Sequence, residues 1–340
     1  MQRRIAFAIW LGIAVMLISS AALAQYQLTN LDSNQAKTAR FMDPLQVNGW
    51  GLARSAGGPF WVSDQGSGWS TLYDGQGVKK SLEVLIPSAS GAGPGQPTGI
   101  VFNGSTSDFQ VQGWKADFLF ATLDGTISGW APQSNLNDAI IAVSNSTAVY
   151  TGLAITSYTS GNTLFAADNA NNLVDMYDAS FNLIGSFTDS TVPAGFAVFN
   201  VQDFDGLLYV TFASQWGGSG GYVDTYSESG TFINRLTSGS PLNQPWGLAI
   251  APKNFGTLSN TLLVADNSNK SSKIHGYNLV TGELVGTLED SSGKAIKIDQ
   301  LWGIEFGGGN SKSGATNALF FTAGPSDNLA GTFGKITVVK

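Results

Sequence analysis

Apolar residues along this chain fall in short runs, each closed by Gly, Asn, Asp, Ser or Thr, and no useful length after residue 25 keeps a helical period. The unit from Gln244 to Asp290 shows the plan. GLAIAP (Gly247 to Pro252) reads as a first strand, followed by a polar loop. TLLVAD (Thr261 to Asp266), KIHGYNL (Lys273 to Leu279) and ELVGTLED (Glu283 to Asp290) read as the second, third and fourth. Short runs rich in β-branched and aromatic residues, separated by turn formers, predict an antiparallel meander. The unit from Tyr150 to Asp189 has the same grammar in GLAIT, TLFAAD, NLVDMYD and NLIGSFTD.

The first-strand phrase recurs around Gly51, Gly99, Gly152, Gly195, Gly247 and Gly303, at separations of 48, 53, 43, 52 and 56 residues. Second strands follow at Phe60 to Asp64, Phe118 to Leu123, Leu207 to Phe212 and Ala318 to Ala323, besides those in the two units above. Repeats of this length with four strands each predict a β-propeller, whereas solenoid repeats are usually shorter or helical. The last repeat reaches only its third strand, GKITVV (Gly334 to Val339), and YQLTNL (Tyr26 to Leu31) has no other obvious partner. That segment is expected to supply the missing outer strand and cover an open edge. The fold expected is therefore all-β, a six-bladed propeller of four-stranded antiparallel blades closed by the N-terminal strand, in one domain over residues 25–340. The repeat glycine has a structural reading, because inner strands crowd the axis and backbone must approach backbone there.

Composition adds a location. Arg3 and Arg4 precede an apolar run from Ile5 to Leu17 and small residues ending Ala22-Leu23-Ala24, the form of a secretory signal over residues 1–24 cleaved before Gln25. No later segment is long and apolar enough to span a bilayer, so a secreted or periplasmic protein is expected. Of 17 basic residues two lie in the leader; against 24 acidic ones the mature charge is about −9. Nucleic acid is then not an expected partner, since no basic stripe replaces phosphate counterions. There is no cysteine, so the core alone must hold an exported chain of this size together.

The blade motifs carry a resemblance. P-x-G-[LI]-A followed by L-[FLY]-V-A-D-N and a strand ending in Tyr is similar to the NHL-repeat propellers and, more distantly, to the six-bladed sugar-lactone hydrolases. NGWGLARS with PFWVSDQGSGWSTLYDG and PTGIVFN resembles more closely a family of exported bacterial propellers of unknown function, some of which end in a PEP-CTERM sorting signal. The last residues, Val338-Val339-Lys340, lack that signal, so sorting of that kind is not implied. The resemblance implies the fold and says little about chemistry.

Catalytic groups are sparse. The one histidine, His275, falls in a third strand away from the axis and reads as structural, and no nucleophile elbow is present. The lactone-hydrolase resemblance implies an axial divalent cation, for which Glu305, Asn48, Asp64, Asp168-Asn169 and Asp266-Asn267 offer oxygen and amide groups suited to Ca²⁺. No ligand set carries over residue by residue, and the favoured reading of the three aspartates is as turn acceptors after second strands. No cofactor is otherwise expected. The other concentration lies before the repeat glycines: Trp50, Thr98, Thr151, Ala194, Trp246 and Trp302 precede them, with Asn48, Gln96, Gln244 and Gln300 three positions before four. These turns gather at one mouth of the channel. Trp50, Trp246, Trp302, Thr98 and Thr151 with the four amides form either a rim for a polar, uncharged ligand or protein partner, or a plug of aromatics between blades. A non-enzymatic binding or scaffold module is the favoured function, with a metal-dependent, lactonase-like hydrolase as the alternative.

Overall fold

In the structure, a computed structural model that describes residues 25–339, each unit forms one four-stranded antiparallel sheet. The leader expected over 1–24 lies outside those residues. Blade one runs Gly49–Arg54, Phe60–Asp64, Trp69–Tyr73 and Lys79–Leu85, from the axis outward. The inner strands of the next blades are Pro97–Phe102, Tyr150–Ile155, Phe196–Phe204, Pro245–Ile250 and Leu301–Phe306. Each packs against the inner strands on either side, and the sixth returns to the first. The ring of six blades is closed, and the only helical turn among the described residues is Gly256–Leu258.

The apolar runs are continuous because both faces of every blade are buried. Alternation along a strand sends neighbouring residues to opposite faces, so in blade two Phe118 and Phe120 pack with Trp61 of blade one, while Leu119 and Ala121 pack with Tyr150 and Leu153 of blade three. Six such cores, one per blade junction, account for the stability of the ring. Each fully buried side chain such as Phe120 contributes about 2–3 kcal/mol relative to exposure.

Closure follows the expected register. Gln25–Ser33 pairs antiparallel with Thr332–Val339, Tyr26 opposite Val338 and Asn30 opposite Gly334, with an irregularity between Asn30 and Asp32. The Tyr26 hydroxyl donates to Phe255 O at 2.7 Å and accepts from Leu258 N at 3.2 Å, which fastens the strand to blade five. A short strand, Phe41–Met42, then adds in parallel outside it, so blade six has a fifth strand that the repeat pattern did not predict.

One register expectation is corrected. Gly51, Gly99, Gly152, Gly247 and Gly303 each face the same level of the next inner strand, where a Cβ would meet Thr98 O at 2.2 Å, Leu153 N at 2.4 Å, Asn200 Oδ1 at 2.1 Å, Trp302 O at 2.3 Å and Trp50 O at 2.9 Å respectively. In blade four that level is held by Asn200, not by Gly195, which sits at the preceding turn with φ +95°. Asn200 tolerates the place by turning its amide into a bond, Nδ2 donating to Trp246 O at 2.8 Å. The residue equivalent to the tryptophans is thus Phe199, not Ala194.

Candidate ligand-binding cavity

The inner strands all run from one mouth of the channel to the other, and the sequence-predicted residues lie at the entrance. Trp50, Trp246 and Trp302 are 6%, 3% and 3% exposed and form one cluster with Leu123 and Phe199 against it. Trp50 and Trp302 stack at 3.6 Å between ring centroids, and Trp246 meets both edge-on. The indoles are therefore a plug across the channel rather than a water-facing rim. Trp246 Nε1 donates to Thr151 O at 2.9 Å and Trp302 Nε1 to Asn48 Oδ1 at 2.9 Å.

The polar residues around the plug tie blade to blade. Thr98 Oγ1 donates to Tyr150 O at 2.7 Å, Asn169 Nδ2 to Val198 O at 2.7 Å, Asn267 Nδ2 to Leu301 O at 3.1 Å and Thr322 Oγ1 to Trp50 O at 2.6 Å. With Asn200 to Trp246 and Gln65 Nε2 to Gln96 Oε1 at 3.1 Å, every one of the six junctions is bridged. Asn48 and Gln244 stand at positive φ and bind adjacent loops, Asn48 donating to Gln65 Oε1 and Gln244 to Ser214 O, while Gln300, also at positive φ, accepts from Asn328 N. Gln96 is exposed and Gln244 and Gln300 are half-buried. The exposed indole at this mouth, missed by the repeat pattern because it lies in a loop, is Trp216.

The aspartates that end second strands bond within their own blades, with Asp64 Oδ1 left without a donor. Asp64 accepts from Thr71 Oγ1 at 2.6 Å, and Asp168 accepts from Val149 N and Asn171. Asp266 accepts from Asn243 N and faces His275 Nε2 at 3.2 Å. His275 Nδ1 meets Thr287 Oγ1 at 2.8 Å, and the ring is 2% exposed. Burial raises the Asp266 carboxyl, and the bonds from His275 and Asn243 oppose it. Among the described residues, no group of three or more histidines and carboxylates is arranged to hold a metal ion.

The open space is at the other mouth. Beyond the plug the last residues of all six inner strands surround a cavity of about 430 Å³, within the range of small-molecule sites. Its walls are apolar, from Leu52, Ile100, Leu153, Leu248 and Ile304 in the deepest layer to Phe102, Ile155 and Ile250 nearer the opening. Its polar side chains come from three blades: Arg54 from the first, Gln202 and Asp203 from the fourth, Glu305 from the sixth. Arg54 Nε lies 3.2 Å from Glu305 Oε1 and donates to Phe306 O at 3.0 Å across the closing seam. Burial pushes the Glu305 carboxyl up to about 8 against the pull of Arg54. Burial likewise lifts Asp203 to about 6, opposed by the Gly206 N–H and assisted by Glu228. Of these four, only Glu305 was legible as a candidate; the others occupy blade positions where the remaining repeats carry aliphatic or aromatic residues.

A closed ring of six four-stranded blades with one plugged and one open mouth defines a six-bladed β-propeller. No protein-family model matches the chain. Two uncharacterised proteins of Acanthamoeba polyphaga mimivirus are similar: one is 33% identical over 61% of this chain, and one is 26% identical over 93% of it. The chain spans 42% of the length of the first and 81% of the second. These relatives are viral, and they do not place the chain in the exported bacterial family that its motifs resemble. Among solved structures, a catalytically inactive virginiamycin B lyase from Staphylococcus aureus with quinupristin superposes with a TM-score of 0.52 at 13% identity, over 93% of this chain and 100% of that one. Kuenenia stuttgartiensis hydrazine synthase superposes with a TM-score of 0.52 at 12% identity, over 84% of this chain and 76% of that one. At such identities the likeness is one of fold.

Proposed function

We propose that the chain is an exported binding propeller that takes a small ligand into the cavity at the exit mouth. The observation that carries this is the cavity itself: apolar walls from all six blades with four convergent polar side chains, over a channel plugged by stacked indoles. Binding rather than turnover is favoured because the sole histidine is held within blade five. This reading replaces the polar, uncharged ligand expected at the mouth of Trp50, Trp246 and Trp302, where the indoles are buried.

The test is a fragment screen read by protein NMR. Ligand-induced shifts should cluster on Leu52 to Arg54, Gln202 to Phe204 and Glu305, and Gln202→Trp, which fills the mouth without removing an aliphatic wall, should abolish them. Shifts confined to Gln96, Gln244, Gln300 and Trp216 would move the site to the plugged face and overturn the reading. For export, mass spectrometry of secreted protein should find Gln25 at its start; intact Met1 on soluble secreted material would count against cleavage.

A further inference from the structure

Two carboxylate oxygens of the cavity residues, Asp203 Oδ2 and Glu305 Oε2, are buried without a hydrogen-bond donor. On the blade-one side, Arg54 Nε donates to Phe306 O with Glu305 Oε1 3.2 Å away, and Nη1 reaches Ser55 O at 3.5 Å. Blade four lies across the ring from blade one, and there Asp203 has no basic partner. Its Oδ1 accepts from Gly206 N at 3.3 Å, while its Oδ2 is shut off from solvent without any hydrogen-bond donor. A buried carboxylate oxygen left unpaired is costly, and a donor that arrives with a ligand recovers that cost.

A second recess, about 440 Å³, opens beside the first and shares Asp203, Phe204 and Ile250 with it. It adds Asp205 and Glu228 and no lysine or arginine, and its phenol, Tyr158, already donates to Glu228 Oε2. Asp203 therefore stands at the junction of two recesses lined by the carboxyls of Asp203, Asp205, Glu228 and Glu305. The paired Arg54 is the single basic side chain lining either space.

From this juxtaposition we propose that the ligand of the cavity is an organic cation, an apolar body carrying a protonated amine or guanidinium that pairs with the Asp203 carboxylate. This rests on the reading of the cavity as the binding site and adds the ligand's class. The apolar body lies against Leu153, Leu248 and Ile250. Asp205 and Glu228, in the adjoining recess, strengthen the attraction from behind, as clefts lined by one sign of charge concentrate the opposite one.

Three probes with a common aromatic body separate the cases: phenethylamine, phenethyl alcohol and phenylpropionate, titrated into residues 25–340 by calorimetry near neutral pH and moderate salt, with NMR shifts to locate them. The amine is expected to bind about tenfold or more tighter than the alcohol, the difference one charge-assisted hydrogen bond makes, with the carboxylate weakest. Asp203→Asn should remove the amine's advantage over the alcohol, and Gln202→Trp should abolish binding of both. If the alcohol binds in the cavity and the amine no more tightly, or if phenylpropionate binds best through Arg54, the cavity stands as a site and the cationic ligand is overturned. If none of the three shifts cavity resonances, both readings fall. An advantage for the amine that survives Asp203→Asn also overturns the assignment.

Discussion

Trp246 shows how much a single position settles in this ring. Its indole is packed edge-on to two others, its Nε1 bonds Thr151 O, and its own carbonyl accepts from Asn200. A tryptophan in that setting is a structural keystone, because truncating it opens a cavity between blades and leaves Thr151 O without its donor. Trp246→Ala is expected to cost about 3–5 kcal/mol, the usual loss for a buried aromatic, measured by denaturant unfolding; a loss under about 1 kcal/mol, typical of exposed sites, would show that the indole keeps water on one face. The glycine beside it has the complementary constraint, since a Cβ at Gly247 would lie 2.3 Å from Trp302 O.

At the scale of the element, the closing strand carries an unpaired carboxyl. Asp32, 1% exposed, has both carboxylate oxygens without partners. Burial and the neighbouring Asp43 raise it from 3.8 to about 7, with Lys79 and the Asp43 backbone N–H pulling the other way. A carboxyl whose folded value lies above its unfolded one keeps its proton in the fold after the unfolded chain has lost it, so stability falls as pH rises between the two values. The contribution of Asp32 is fully present below about pH 4 and is lost by about pH 7, with a slope of at most about 1.4 kcal/mol per pH unit. Asp32→Asn should flatten that part of the profile of melting temperature against pH. A variant whose profile between those limits matches the parent's would show that Asp32 is ionised within the fold.

For the whole molecule, the seam between the last and first blades is where the ring must hold. It is bridged at the axis by Thr322 to Trp50, and at the exit mouth by Arg54 with Glu305 and Phe306 O. The pair is 18% and 27% exposed, so water screens it in part. Above about pH 8, where Glu305 has lost its proton, Arg54→Met should destabilise the chain, and adding Glu305→Gln should recover part of the loss, because the first change alone strands a carboxylate in the mouth. A coupling of about 1 kcal/mol in the double-mutant cycle is expected; strict additivity would mean that the pair does not bridge the seam.

The blades were legible in the sequence because a strand buried on both faces writes itself as an unbroken apolar run, bounded by turn formers, and six similar runs at similar intervals admit few architectures. Closure was legible for a related reason: GKITVV lacked an outer neighbour, and YQLTNL lacked a sheet. Blade four was misread because the decisive position is set by contact with the next blade, and Asn200 meets that contact with a side-chain bond where five other blades use glycine. The fate of the tryptophans was not written either, since a repeat places equivalent residues around an axis without saying whether the channel there is open or filled. The cavity was the least legible feature of all. Arg54, Asp203 and Glu305 are separated by 149 and 102 residues in the chain, each is a single departure within its own repeat, and only the closing of the ring brings them to one mouth. Local pattern determined the elements and their count; the packing of blade on blade decided which end is sealed, which is open, and which charges meet there.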